Sequence, residues 1–191
     1  MTIAPHHPVQ PATARADFAG RERTTARAAR ADFIAAMGNA ATGVTVVTTE
    51  GPAGRFAQTV SAMCSVTADP PSLLVCVNER SPLAAAAVRN GHFGVSILSL
   101  GQAHVSDVFA GRPAPGTGHA PYDFDCADWQ TLDTGSPLLR DAAAVFDCHL
   151  TDAVVSGTHR VLFGAVTAST VSTSDRPLVH HARTYGAHRP L

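Results

Sequence analysis

Apolar and polar residues follow two different periods along this chain, and the change falls near residue 43. In 32–41 the apolar residues recur at helical spacing and Gly43 follows them, which predicts a short amphipathic helix. Beyond Gly43, runs rich in β-branched and apolar residues predict six strands. These runs are 44–49, 56–67, 72–78, 92–98, 144–155 and 160–171.

Two further helices are predicted between the strands, and both are short. One begins at Ser81-Pro82, a capping residue followed by proline at the first helical position, and ends at Asn90-Gly91. The other covers about 102–110. Six strands joined by such short helices favour an antiparallel barrel or sandwich over a sheet of βαβ units.

Segment 111–131 interrupts this pattern with three prolines and three glycines, and Tyr122, Phe124 and Trp129 lie among them. A connection of this length without regular structure is commonly a lid or a packed excursion. The pattern alone does not decide between the two.

Composition limits the classes of function. Hydrophobic residues make up 45% of the 191 residues and charged residues only 15%, well below the usual quarter. This balance excludes disorder for most of the chain and suggests that some surface is buried against a partner. The net charge is −1 and all 14 basic residues are arginine, so nothing favours nucleic-acid binding. The sequence contains no run of 18 apolar residues, so we expect no transmembrane helix.

The first 30 residues are predicted to form a flexible tail ahead of one domain, 31–191. Three prolines lie among the first eleven residues, and five arginines against two acids give 1–30 a local charge of +3. A positive cluster followed by an apolar stretch is missing, so we expect no signal peptide.

Cysteine and histidine spacing argues against a metal centre. The four cysteines, Cys64, Cys76, Cys126 and Cys148, contain no CxxC pair, and the adjacent His180-His181 lacks a third ligand. We therefore expect no metal, and free thiols in a reducing cytoplasm.

The segment 59–67 carries the most informative alternation of the chain. As one strand it would place Val60, Ala62, Cys64 and Val66 on a core-like face, and Thr59, Ser61, Met63, Ser65 and Thr67 on a hydroxyl-rich face. This face is either an ordinary solvent face or a surface that hydrogen-bonds a flat, heteroatom-rich ligand. It carries no acid or base, so the second interpretation suits a cofactor that supplies its own reactivity.

A second candidate site lies at Asn78-Glu79-Arg80-Ser81-Pro82, where a helix begins. Free backbone N–H groups at a helix start favour an anion, and Arg80 and Ser81 would add donors to a phosphate. The alternative is that Ser81 only caps its own helix.

These segments, in their order and spacing, resemble the short-chain flavin reductase family. The resemblance rests on FIAAM (33–37), TGVTVVTT (42–49), TVSAMCSV (59–66), DPPSLLVCVN (69–78), Ser81, NGHFGVSIL (90–98), Gln102, FAG (109–111), GTH (157–159) and GAV (164–166). It covers about 31–186, and the subgroup that looks closest is the reductase component of 4-hydroxyphenylacetate 3-monooxygenase.

The resemblance implies a fold and a reaction. The fold is mainly β, a six-stranded antiparallel split β-barrel that binds FMN, with a few short helices, usually as a homodimer. The reaction is NAD(P)H-dependent reduction of FAD, FMN or riboflavin, with the reduced flavin passed to a separate monooxygenase or halogenase component. One alternative is a split-barrel protein that carries flavin without reductase activity. Another is a split-barrel enzyme for a different acceptor, such as an oxidase with bound flavin.

The resemblance also assigns roles to residues. The flavin ring would lie along Thr59, Ser61, Ala62 and Cys64, continued by Ser65 and Val66; Thr42, Gly43, Val44 and Thr45 would border the pocket; Asn78, Arg80 and Ser81 would meet the phosphate; and His159 would line the nicotinamide side. Tyr185 closes the C-terminal motif and is assigned to the cofactor site.

Three positions depart from the family pattern. Thr158 stands where Asp is common, His181 where Tyr is usual, and Arg183 where Gly is usual. The pyridine-nucleotide end is thus the part of the site that the resemblance defines least. Ser106 and Asp107 have no partner at a catalytic spacing and are interpreted as polar groups of a helix, and Cys64 as packing beside the flavin.

Overall fold

Twelve strands and three α-helices make up the part of the chain described by the computed structural model, residues 29–173 and 176–191. The predicted tail therefore lies almost wholly outside the described residues. The helices are α1 (Arg30–Met37), α2 (Pro82–Asn90) and α3 (Ala103–Phe109), with 3₁₀ turns at Leu100–Gln102 and Phe124–Cys126. None of these helices is long and apolar enough to cross a membrane.

The strands are β1 (Thr42–Gly43), β2 (Thr45–Gly51), β3 (Gly54–Val60), β4 (Met63–Ala68), β5 (Pro71–Asn78), β6 (His92–Ile97), β7 (Trp129–Gln130), β8 (Leu138–Leu139), β9 (Ala144–Ser156), β10 (His159–Val171), β11 (Leu178–His181) and β12 (Thr184–Ala187). The ends of the six predicted strands agree with these bounds to within two residues.

Seven of the strands form one antiparallel sheet in the order β3-β2-β6-β9-β10-β5-β4. Its two edge strands, β3 and β4, are consecutive in the chain and only Ser61 and Ala62 separate them. The strand ends Val60 and Met63 are three Cα–Cα steps apart, so they lie at most roughly 11 Å from each other. The sheet must therefore curl until its edges meet, which confirms the predicted split barrel.

The single strand predicted over 56–67 is wrong in one respect, because it breaks at Ser61-Ala62. Val60 is buried as predicted, but beyond the break Met63 packs against the core, whereas Cys64 and Val66 are exposed. The two-residue link moves the chain from one sheet edge to the other, and a bulge between Ser65 and Thr67 disturbs the register again. The core-like face predicted for 60–66 is therefore lost after Val60.

Two hydrophobic clusters lie on opposite sides of β2. Val46 packs with Phe109 and Leu138 in one cluster, and the adjacent Val47 packs with Phe93 and other residues in the second. Because successive side chains of a strand point to opposite faces, β2 is buried on both sides. Helix α2 covers the second cluster and α3 the first.

The excursion 111–131 is packed onto the barrel. The Phe109 and Phe124 rings lie 5.1 Å apart and the Phe109 and Trp129 rings 5.6 Å apart, both edge to face. The Trp129 indole N–H also donates to the Phe124 carbonyl, at 2.8 Å. Such pairs add to area burial, so the excursion forms a wall of the first cluster.

A buried carboxylate fixes the segment that follows. Asp147 is fully buried in β9, and one of its oxygens accepts from the Thr134 backbone N–H at 2.7 Å while the other accepts from the Thr134 hydroxyl. Thr134 and Ser136 are joined by a hydroxyl hydrogen bond of 2.9 Å, and Ser136 lies 2.7 Å from His92 Nδ1. Burial lowers the pKa of His92. Because an unpaired buried charge is costly, these bonds hold 134–136 to the barrel.

Helix α1 ends four residues earlier than the predicted 32–41, and it buries no residue. Phe33 is 59% exposed and Met37 54%. Its apolar residues are therefore not buried within the described part of the chain.

The C-terminal hairpin of β11 and β12 was not among the predicted strands. It pairs with β1, and its two turn residues, Ala182 and Arg183, have φ of 48° and 65°. Two positive φ values in a two-residue hairpin loop suit a type I′ turn, which favours glycine or asparagine. Arg183 therefore occupies a left-handed position where the family pattern has glycine.

Replacing Arg183 by glycine should stabilise the protein. The substitution removes the left-handed strain of a residue with a Cβ, and we expect a gain of about 0.5–1 kcal/mol in the free energy of unfolding, measured by urea denaturation. Arg189→Gly, at an exposed C-terminal position, is the control and should give no gain. A loss of stability in Arg183→Gly would contradict the assigned turn.

Candidate functional site

Two small cavities flank the break between β3 and β4, and Ser61 lines both. One, of about 260 Å³, is lined by Ala41, Thr42, Gly43, Thr45, Ser61, Met63 and Ile97. The other, of about 160 Å³, is lined by Val44, Thr59, Val60, Ser61, Ser106, Ala110, Arg112, His180 and Tyr185. The structure thus brings together the predicted border residues, three residues of the hydroxyl-rich face (Thr59, Ser61 and Met63) and Tyr185.

The backbone at the break is open on one side. Ser61 and Ala62 are exposed, and the Ala62 carbonyl accepts from the Cys76 N–H at 2.9 Å, which ties the start of β4 to β5. Behind the break, the Thr45 hydroxyl donates to the Val60 carbonyl at 2.8 Å. The link is therefore held at both ends and presents its remaining backbone groups to solvent.

Only some of the residues predicted to contact the flavin ring line the two cavities. Cys64, Ser65 and Val66 lie exposed on the edge strand β4 and line neither cavity. Met63, which was not assigned to the site, lines the larger one. Met63 lies on the predicted hydroxyl-rich face with Thr59 and Ser61, so its place beside the cavity agrees with the alternation, although the resemblance did not assign it to the site.

Tyr185 is held by helix α3. Its hydroxyl lies 2.9 Å from Ser106 Oγ and 2.8 Å from Asp107 Oδ1, and the Ser106 carbonyl accepts from the Thr59 hydroxyl at 2.8 Å. Burial raises the pKa of the Tyr185 phenol, and the hydrogen bond to Asp107 raises it further. Ser106 and Asp107 do lie on a helix, as interpreted, but the expectation that they lack a partner is wrong, because both contact Tyr185. About eighty residues separate the partners in sequence, so no local pattern indicated them.

A third cavity, of about 440 Å³, lies between β3, the start of α2 and the 111–131 excursion. It contains the predicted phosphate residues Asn78, Arg80 and Ser81. It also contains Arg55, Phe56, Ala57, Gln58, Pro82, Leu83, Tyr122 and Phe124, which the sequence did not single out. They come from segments far apart in the chain.

The structure shows whether Ser81 caps helix α2, which the sequence left open. Ser81 is the N-cap residue, but its hydroxyl makes no cap hydrogen bond, and no other bond to it is found in the described part of the chain. The Asn78 side-chain oxygen accepts from the Arg80 N–H at 2.9 Å and shapes the turn. Pro82 has no backbone N–H, and the Ala84 N–H donates to the Ser81 carbonyl at 3.1 Å. The donors that could meet a phosphate here are therefore mainly the side chains of Arg80 and Ser81.

His159 lies at this end of the site. It opens β10 directly opposite Asn78, and its Nδ1 is 3.0 Å from the Thr158 hydroxyl. It is exposed and lines none of the three cavities. Met63 pairs with Val75, three residues before Asn78, so His159 lies about 10 Å along the sheet from that pair.

Glu79 and Arg160 brace the same turn. Arg160 Nε donates to Glu79 Oε2 at 2.9 Å, a second guanidinium N–H donates to Oε1, and the Glu79 N–H donates to the Thr158 carbonyl at 3.0 Å. A bidentate pair of this kind fixes geometry as well as charge. The turn at 78–81 and the turn that carries His159 are therefore joined by both side-chain and backbone hydrogen bonds.

These features define the class of protein: a split barrel with two cavities at the β3–β4 break, called the groove from here on, and a helix α2 whose start has no side-chain cap. The chain matches the family described as flavin reductase like domain over residues 37–189. It belongs to that family, and the predicted membership is confirmed.

Individual relatives agree with the match. An FMN reductase (NADH) RutF of Variovorax paradoxus is 39% identical over 158 residues, which cover 82% of this chain and 84% of the relative. Among solved structures, BorF, the flavin reductase component of a bacterial two-component tryptophan halogenase, is 33% identical, with a TM-score of 0.72 over 82% of this chain and 96% of its own. The NADH:FAD oxidoreductase SgcE6 of Streptomyces globisporus, solved with NAD and FAD fragments, is 26% identical, with a TM-score of 0.74 over 84% and 93%.

Ser81→Ala should leave stability almost unchanged. Removing a working cap costs about 0.5–2 kcal/mol, but the Ser81 hydroxyl caps nothing, so we expect a smaller loss in the free energy of unfolding. Chemical denaturation without ligand measures it. A loss above about 1 kcal/mol in the free energy of unfolding would mean that the Ser81 hydroxyl does cap the helix.

Proposed function

We propose that the protein is an NAD(P)H:flavin oxidoreductase that reduces FAD or FMN and supplies the reduced flavin to a separate monooxygenase or halogenase component. The observation that carries the proposal is the groove at Ser61-Ala62 together with the uncapped start of α2. The predicted enzyme class is confirmed by the family match, and the names of its relatives pair flavin with NADH as predicted.

The residues of the groove suit a flat, heteroatom-rich ring. Thr42, Gly43, Val44 and Thr45 would border it, with Thr59 and Ser61 along it and Ala62 at the break; the exposed Cys64, Ser65 and Val66 would extend it. Ala62 offers backbone rather than a reactive side chain, and no acid or base is required of this segment. The flavin supplies the chemistry when bound, because its ring accepts a hydride from a nicotinamide.

The chain's own task is therefore alignment. Holding two reactants in a productive geometry accounts for a large share of rate in such reactions. Tyr185, fixed by Ser106 and Asp107, would form a rigid wall beside Thr59. Backbone N–H groups near the break would stabilise negative charge on the reduced ring, as fixed dipoles do.

The test of the reaction is steady-state oxidation of NADH and NADPH with FAD, FMN and riboflavin in turn. A reductase consumes the pyridine nucleotide only when flavin is added, and it purifies pale because flavin is a substrate. A protein that stays yellow and leaves NADH untouched would be the flavin carrier instead.

Ser81→Ala should distinguish FMN from riboflavin. We propose that Arg80 and Ser81 bind the flavin phosphate, so the dissociation constant for FMN should rise about tenfold, equivalent to ~1.4 kcal/mol, a typical charged hydrogen bond. Riboflavin lacks the phosphate and should bind as before. Ser169→Ala, on the exposed side of β10, is the control; equal weakening of both flavins in Ser81→Ala would contradict the assignment.

His159 is proposed to orient the pyridine nucleotide. The His159 side chain is exposed and makes one hydrogen bond, to Thr158, so it contributes little to the fold. This supports a role in binding. His159→Ala should lower kcat/KM for NADH by about tenfold, ~1.4 kcal/mol, with flavin affinity changed far less. His149→Ala, another exposed histidine of the same sheet, is the control. Unchanged NADH kinetics with a lower Tm would place His159 in the fold.

We further propose a homodimer. The exposed apolar residues support it: Phe33, Ile34 and Met37 on α1, Val66 on β4, and Val154 and Val155 at the end of β9. Such apolar surface on one small domain is typical of an interface. His159 and the exposed part of β4 would then be completed by a second copy.

Light scattering at micromolar concentration should give about twice the chain mass of 19.8 kDa. Phe33→Asp, at 59% exposure, should shift the protein toward the monomer because a charge would be buried in the interface. A wild-type species at the monomer mass alone would contradict the dimer.

The remaining assignments are also proposals. The four free cysteines support a cytoplasmic location. The catalytic domain is proposed to span 31–191, with 1–30 as a dispensable tail, since the family match begins at residue 37.

A further inference from the structure

The 440 Å³ cavity at the start of α2 is larger than a phosphate requires. Its phosphate end is formed by Arg80 and Ser81, and from there it continues along β3 to Arg55 and Gln58. Small-molecule sites of about 300–1,000 Å³ hold most of a drug-sized ligand. The volume beyond the phosphate end therefore fits a further part of a ligand.

The cavity suits a ligand that is anionic at its phosphate end and planar at its far end. Among the described residues that line it, two are arginines and none is acidic. The Arg55 guanidinium lies 4.0 Å from the centre of the Phe124 ring, and Arg55 Nε is 3.3 Å from a Glu50 oxygen. Arginine held in this way presents a flat face, and nucleobases stack on guanidinium planes and on aromatic rings.

Gln58 supplies the second observation. Its side chain lines the cavity, and its Oε1 atom is buried without a hydrogen-bond partner in the described part of the chain. A buried acceptor left unpaired costs stability, so such atoms are usually satisfied by protein, water or ligand. An N–H donor on a ligand in this cavity would satisfy it.

FMN ends at its phosphate, whereas a dinucleotide continues through a pyrophosphate to ribose and adenine, whose 6-amino group is an N–H donor. We propose that this cavity binds the adenosine phosphate group of a dinucleotide, with Gln58 accepting from the adenine amino group and Arg55 stacking on the ring. The inference rests on the proposed function only in sharing the phosphate end with the flavin. FAD and NADH both carry this group.

Isothermal titration of the full chain with ADP, FMN, FAD and NADH, each alone, tests the proposal. Gln58→Met keeps the length of the side chain and removes the acceptor, so the dissociation constants for ADP and for one dinucleotide should rise about five- to tenfold. FMN should bind as it does to the wild type. Gln130→Met is the matched control, because Gln130 lines a different cavity, and it should change none of the four.

The two dinucleotides identify the source of the group. A change confined to FAD assigns the cavity to the flavin, and a change confined to NADH assigns it to the pyridine nucleotide; both results support the proposal. Wild-type protein that does not bind ADP, or Gln58→Met protein that binds ADP, FAD and NADH as the wild type does, would overturn it.

Folding and the flavin site are controlled separately. Removing an unpaired buried acceptor should leave the Tm without ligand unchanged or higher; should Gln58→Met fail to fold, Arg55→Met takes its place with the same expected losses. ADP binding that is lost in the variant, in a protein that does not bind FMN, would retain this proposal and refute the proposed flavin site.

Discussion

Closure of the sheet through a two-residue link is the constraint on which the rest of this structure depends. The edge strands β3 and β4 are joined only by Ser61 and Ala62, so neither edge can move away from the other. Exposed edges invite pairing with other chains, and closure of a barrel is one way to protect them. Here the closure is incomplete, and the groove lies where pairing stops.

The location of the site follows from this closure. The break leaves backbone groups free at Ser61 and Ala62, and β5, which pairs with β4, leads directly into the turn at Asn78 and the start of α2. Helix α3 and the C-terminal hairpin close the other side through Tyr185 and Ser106. One sheet therefore places the groove and the proposed phosphate site along one edge. For the proposed reaction, the main task of the protein is to align the two reactants.

Much of the fold could be predicted from the sequence because strands, helix starts and turns depend on residues close together in the chain. The β-branched run before residue 50, the Ser81-Pro82 helix start and the turn residues agree with the structure to within two residues. The break at Ser61-Ala62 could not be predicted, because the alternation of 59–67 continues through it without a glycine or proline. Arg183 shows the opposite case: its left-handed turn was visible only as a departure from the family pattern.

The parts of the site that the sequence missed are those assembled over long distances. Tyr185 meets Asp107, and Arg55 meets Phe124, across about 70–80 residues, and neither pair forms a motif. His159, which the family motif did indicate, lies beside the turn at 78–81 and lines none of the three cavities described above.

A crystal structure of the protein with FMN tests the central claim most directly. It should show the phosphate at hydrogen-bonding distance, about 2.7–3.2 Å, from the Ser81 hydroxyl and the Arg80 guanidinium, with the ring against the backbone at Ser61-Ala62. FMN seated elsewhere on the barrel, with the start of α2 empty, would contradict the account.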